Sequence, residues 1–181
     1  MGRLVLFLAA AVALATPAAD YLTAKRKIGL LRNDRVRPGA TVTIGQAELN
    51  AYVRWKAPEG VRGTRVVLGV NRATGYARVD FPKLRQAQGQ PMNRFLAWLV
   101  GGERPVRVDA RITSSDGKMT VDLERVEVSG MALSGDVLDL LIRKFLWIYY
   151  PDAKIGKAFE LDHGIDRMEI DPAAVRVVVG K

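Results

Sequence analysis

The residues able to carry chemistry are few, and most meet in one short stretch: Glu160, Asp162, His163 and Asp166. Three carboxylates so close together suggest a cation. A calcium loop, however, needs glycine at its sixth position and glutamate at its twelfth, and this stretch has neither spacing. It reads as a polar turn. His163 is the single histidine, so any serine hydrolase chemistry would need it as the base, with Ser114, Ser129 or Ser134 as nucleophile. None of these serines sits in a Gly-x-Ser-x-Gly elbow. Gly101-Gly102 is followed by Glu103, not by the Lys-Ser/Thr pair of a phosphate-cradling loop. The chain has no cysteine. Disulfides, thiolate nucleophiles, cysteine-held zinc, iron–sulfur clusters and a lipid-modified N-terminal cysteine are all excluded. The expectation is a protein that is not an enzyme, with no catalytic residue, no metal site and no cofactor.

What remains is recognition by apolar surface. Residues 134–150 (SGDVLDLLIRKFLWIYY) read as a helix, with Ser134 as N-cap, Asp136 in the first turn and Pro151 as the stop. Only Asp139, Arg143 and Lys144 are charged in its body. A surface helix normally carries a single apolar stripe, and this one is apolar nearly all round. Residues 91–100 (PMNRFLAWLV) repeat the theme on a shorter helix that opens at Pro91 and stops at Gly101-Gly102. Phe81, Met92, Phe95, Trp98, Leu99, Leu138, Leu141, Ile142, Phe145 and Trp147 are therefore the candidates for lining a site for a lipid or another long apolar molecule. The same side chains also suit a fully packed core, or the docking of an envelope protein partner.

Charge and targeting point the same way. Lys and Arg number 28 against 19 Asp and Glu, a net +9. Over half of that excess falls between residues 25 and 37, in Lys25, Arg26, Lys27, Arg32, Arg35 and Arg37, opposed only by Asp34. These six are the candidates for contact with an anionic membrane surface. A nucleic acid partner is not expected, because no aromatic residues are interleaved with them. Ahead of them, Arg3 precedes an apolar run from Leu4 to Ala15, and small residues follow. This is the pattern of a signal peptide or of a retained signal anchor. The expected organisation is a leader over 1–19, a basic linker over 20–40 and one α+β domain over 41–181. The chain would be exported to the periplasm or cell envelope.

The elements that must position these side chains follow from periodicity. Residues 41–44 alternate as a strand, and Gln46–Lys56 reads as a helix ended by Pro58 and Gly60. Strands are expected over 65–70, 76–84, 106–112 and 119–128, with a closing hairpin of 168–170 and 175–179 turning at Asp171-Pro172. Val106, Val108, Ala110 and Ile112 share one face, as do Met119, Val121 and Leu123. After Leu123 the apolar pattern slips to Val126 and Val128. A one-residue slip swaps faces, so a bulge is expected near Glu124–Arg125.

Gln46-Ala47-Glu48-Leu49-Asn50-Ala51-Tyr52 opens a helix after a strand. A long hairpin, the segment 129–134, a helix and a closing hairpin follow. This order resembles the small bacterial envelope proteins of the tubular lipid-binding (TULIP-like) type, over about residues 41–180. The resemblance implies a bent antiparallel β-sheet wrapped around one long apolar helix, with shorter helices, and acyl chains held in the seam. It implies no catalytic residues.

Overall fold

Val106, Val108, Ala110 and Ile112 alternate with Arg107, Asp109 and Arg111, and this period of two commits the segment to a strand with one oily and one charged face. In the computed structural model, which describes residues 16–86, 101–143 and 155–181, that strand is the middle of a six-stranded sheet. In chain order the elements are α1 (Pro17–Arg32), β1 (Thr41–Gly45), α2 (Gln46–Lys56), β2 (Val61–Gly69), β3 (Arg72–Asp80), α3 (Phe81–Gln86), β4 (Glu103–Ser115), β5 (Lys118–Val128), β6 (Met131–Leu133), α4 (Gly135–Leu141), β7 (Phe159–Glu160), β8 (Ile165–Ile170) and β9 (Ala174–Val179). The larger sheet runs β2-β3-β4-β5-β6, with β7 also on β5, and the smaller runs β1-β9-β8. Every ladder is antiparallel. The fold is thus a mixed one of helices and antiparallel sheets.

The bulge lies where the pattern slips. Asp109 pairs with Arg125 while Ala110 pairs with Leu123, leaving Glu124 as the extra residue on β5. That insertion returns Val126 and Val128 to the face already held by Val121 and Leu123.

Two elements differ from the sequence reading. The stretch 20–40 is not a connector throughout, because α1 occupies its first part. Thr16 caps α1 by accepting from the Ala19 N–H at 3.3 Å, Pro17 fills the first turn and Asp20 follows it. Tyr21, Ala24 and Leu31 are buried, so tertiary contact holds this helix within the basic stretch. The strand expected over 76–84 stops at Asp80, whose carboxylate accepts from the Lys83 N–H at 3.1 Å and starts α3. Pro82, with no N–H to donate, suits a first helical turn better than a ladder. The long apolar helix over 134–150 is described only as α4. Residues 1–15 of the leader expected over 1–19, the helix expected over 91–100 and residues 144–150 lie outside the described residues.

Two apolar clusters organise the chain. Val79, Phe81, Leu84 and Val128 form one, with Leu133 and with Val137 and Leu140 of α4 packed against it. Leu31 of α1 joins Val177 and Val179 in the other, flanked by Val42, Ile165 and Met168. Gly60 sits beside the first. Its N–H neighbours aside, a Cβ here would stand 3.2 Å from the Asp80 carbonyl, and its φ of +87° favours glycine. Backbone hydrogen bonds stitch the sheets together at two turns: Asn71 N–H to the Ile170 carbonyl (3.0 Å), and Gly117 N–H to the Asp166 carbonyl (2.7 Å).

Candidate functional site

Register fixes what each face of the larger sheet presents. On one face β3 contributes Ala73, Gly75 and Ala77, opposite Ala110, Val108 and Val106 of β4. Those in turn oppose Leu123, Val126 and Val128 of β5, with Ile112 opposite Val121. Phe159 of β7 stands opposite Met119. Val126 and Val128 are buried, the latter only 1% exposed, where the first cluster closes one end. Along the rest, Ala73, Gly75, Val108, Ala110, Ile112, Val121, Leu123 and Met119 are only half-buried. Three small residues on β3 lower the floor of this face, since no side chain there rises beyond a methyl group. Arg104 shares its row with Val79, and its Nε is buried without a hydrogen-bond partner among the described residues.

The opposite face is ionic. Glu103 takes ion pairs from Arg62 (2.5 Å) and Arg78. Hydrogen bonds from these two guanidiniums hold its carboxyl down at about 2. Burial pushes the Asp109 carboxyl up, but hydrogen bonds from Thr74 (2.7 Å) and Arg107 outweigh it and keep it below the ordinary range. Glu124, the bulge residue, collects Arg111 (2.5 Å) and Arg72 (3.3 Å), and Arg125 pairs with Glu127. Tyr76 lies between Arg65 and Arg107, with ring-to-cation distances of 4.9 and 5.9 Å. A hollow of about 240 Å³ on this face is lined by Arg72, Thr74, Arg107, Asp109, Glu124 and Arg125. Its cations are already matched by carboxylates, and its lining does not suit a long apolar ligand.

The helix motif 46–52 proves to be a clasp on the edge of β2. The Asn50 side chain donates to the Val66 carbonyl (2.8 Å) and accepts from the Val66 N–H (2.7 Å), while Gln46 accepts from the Leu68 N–H (2.9 Å). These side-chain amides pair backbone groups that an edge strand leaves open. Glu48 reaches back to the Gly45 N–H at 3.0 Å.

The sequence candidates are distributed unevenly. Phe81 is 6% exposed and belongs to the first core cluster, so it can form only the closed end of a site. Leu138 and Ile142 are half-buried. The backbone of Leu141 ends α4, and its side chain lies outside the described residues, as do Met92, Phe95, Trp98, Leu99, Phe145 and Trp147. Lys25, Arg26, Arg32, Arg35 and Arg37 are exposed. Lys27 is not available to a membrane, since its Nζ is held by Glu48 (2.8 Å) and the Thr43 carbonyl (2.7 Å). His163 faces Asp34, with Nδ1 3.4 Å from the carboxylate. Ser114 is occupied structurally, donating to the Lys118 carbonyl and accepting from the Met168 N–H. Among the described residues no group of three or more His, Asp or Glu could hold a metal ion, and no helix is long and apolar enough to cross a membrane.

The small residues of β3 are not among the candidates that size and apolarity pick out in the sequence. Their signal was present in Ala73, Gly75 and Ala77, every second residue of a strand flanked by arginines. Compared with known proteins, the chain matches no family model, no curated protein and no solved structure.

Proposed function

We propose that this protein binds a lipid or another long apolar molecule in the bacterial cell envelope, without catalysing a reaction. The carrying observation is the half-buried apolar face floored by Ala73, Gly75, Ala77 and Ala110. In this reading the sheet bends around one long apolar helix, 134–150, which begins with α4. The ligand's chain lies in the seam between helix and sheet. The apolar segment 91–100 leaves after α3 and returns at β4, and 144–150 leaves after α4 and returns at β7. Both are therefore tethered at strands of this face. Each methylene taken from water contributes about 0.8 kcal/mol, so ten give about 8 kcal/mol before the cost of association. Arg104 offers a cation to an anionic head group.

Mass spectrometry of organic extracts of the purified full chain tests the reading. One lipid class should co-purify near stoichiometry, and Val108→Glu should abolish it while preserving the circular dichroism spectrum. Arg104→Met should retain neutral apolar ligands and lose anionic ones. A wild-type chain that yields no enriched lipid counts against the proposal. So does a Val108→Glu chain that keeps its lipid.

A further inference from the structure

Helices α1 and α2 pack antiparallel, since Tyr21 near the start of α1 stacks on Trp55 near the end of α2 at 4.7 Å, and Lys27 further along α1 meets Glu48 at the start of α2. One end of this pair carries an unusual surface. Trp55 is 67% exposed although its ring lies on Tyr21, and Leu22, next after Tyr21 in the chain, is 61% exposed. Lys25 sits 6.0 Å from the Tyr21 ring centroid. Arg26, one helical turn after Leu22, is exposed, as are Arg54 and Lys56 flanking Trp55. Of the acids on the two helices, Glu48 is held by Lys27, which leaves Asp20 against the four cations Lys25, Arg26, Arg54 and Lys56. Residues 17–56 carry eight Lys and Arg against three Asp and Glu.

We propose that this end of the α1–α2 pair docks onto an anionic lipid bilayer, with Trp55 and Leu22 entering the headgroup zone and Lys25, Arg26, Arg54 and Lys56 meeting lipid phosphates. Exposed tryptophan ringed by cations suits that zone, where an amphipathic ring keeps its body dry and its N–H wet. The chain's continuity favours the same orientation. The apolar run from Leu4 to Ala15 leads directly into the N-terminal end of α1, the end that carries the patch. Arg32 lies ten residues, about 15 Å of helix, beyond Leu22, and Arg35 and Arg37 follow that far end, away from Leu22 and the end of α1 that stacks on Trp55. Nucleic acid would use the cations but has no use for an exposed Leu22. The inference does not depend on an apolar ligand being bound elsewhere.

Co-sedimentation of the full chain with sucrose-loaded vesicles tests it, comparing phosphatidylcholine alone with phosphatidylcholine containing phosphatidylglycerol. The apolar leader contributes alike to every variant, so differences between variants report the patch. Wild type should favour the anionic vesicles, and the preference should fall with salt. Removing Lys25, Arg26 and Lys56 together by alanine should weaken anionic binding about a hundredfold, at about fivefold per cation. The triple change Arg32→Ala, Arg35→Ala, Arg37→Ala should cost far less. Trp55→Ala should weaken binding to both vesicle types, and Trp55→Phe should restore most of it. All these side chains are exposed, so circular dichroism should stay unchanged. Equal binding to neutral and anionic vesicles would overturn the proposal, as would equal losses from the two triple variants. A chain that ignores vesicles and retards duplex DNA would overturn it in favour of nucleic acid.

Discussion

On the charged face of the six-stranded sheet Arg62, Arg78, Arg107, Arg111 and Arg125 each meet a carboxylate, whereas on the opposite face Val108, Ala110, Ile112, Val121 and Leu123 stay half-buried. The same strands supply both. The charged face satisfies itself with neighbours two residues away or one or two strands over. The apolar face cannot satisfy itself, because apolar atoms leave water only when something else covers them. The proposed ligand site therefore belongs to the dependent side. The matched ions of the other side set register and limit solubility problems at little energetic return, since exposed pairs contribute about 0–1 kcal/mol each.

Substitutions can break this contrast or sharpen it. The largest expected effect is in the closed end of the apolar face. Leu84→Ala should lower stability by about 2–5 kcal/mol in urea unfolding, and Ile112→Ala by clearly less. Equal losses would mean that the open stretch is as tightly packed as the closed end. Next comes the edge clasp. Asn50→Ala orphans the N–H and carbonyl of Val66 and should cost about 1–3 kcal/mol, with faster amide exchange along β2. Ala110→Leu then asks directly whether the floor has room. With a vacant groove its stability should stay within about 1 kcal/mol of wild type while lipid retention drops, whereas a filled one should cost about 1–3 kcal/mol from overpacking. On the charged face Arg111→Ala should change stability by less than about 1 kcal/mol, and less still at high salt.

Glu103 gives that face a signature in pH. Its folded pKa of about 2 lies below the ordinary value of 4.5, so the carboxylate binds protons less readily folded than unfolded. Its contribution is fully present above about 4.5 and disappears as pH falls toward 2. The Glu103→Gln chain should therefore show a shallower loss of stability across that interval than wild type, measured by thermal unfolding at stepped pH.

How much was legible beforehand varied with the range of the interaction. Local signals read well: Gln46–Lys56, the Asp171-Pro172 turn and the bulge at Glu124 all follow from spacing and turn chemistry within a few residues. The Asx turn at Asp171, whose carboxylate accepts from Ala173 and Ala174, is a case where one side chain decides. Two local signals were present but outweighed. Thr16-Pro17, within the stretch expected as a leader, caps and opens a helix, and Asp80-Phe81-Pro82, within an expected strand, starts one. In both, the choice rested on partners distant in sequence, Tyr52 and Trp55 for α1 and Val128 for α3.

By itself the sequence determined that cysteine chemistry is closed to this protein and where the chain alternates. These depend on residue type and on a period of two or 3.6, which neighbours along the chain dictate. Only the tertiary structure decided that Lys27 is spent on Glu48, that Asn50 clasps an edge strand, that Ala73, Gly75 and Ala77 floor one face, and that Trp55 rests on Tyr21 yet stays exposed. Each of these is a contact between segments distant in sequence, and no local pattern encodes which distant partner a side chain will meet.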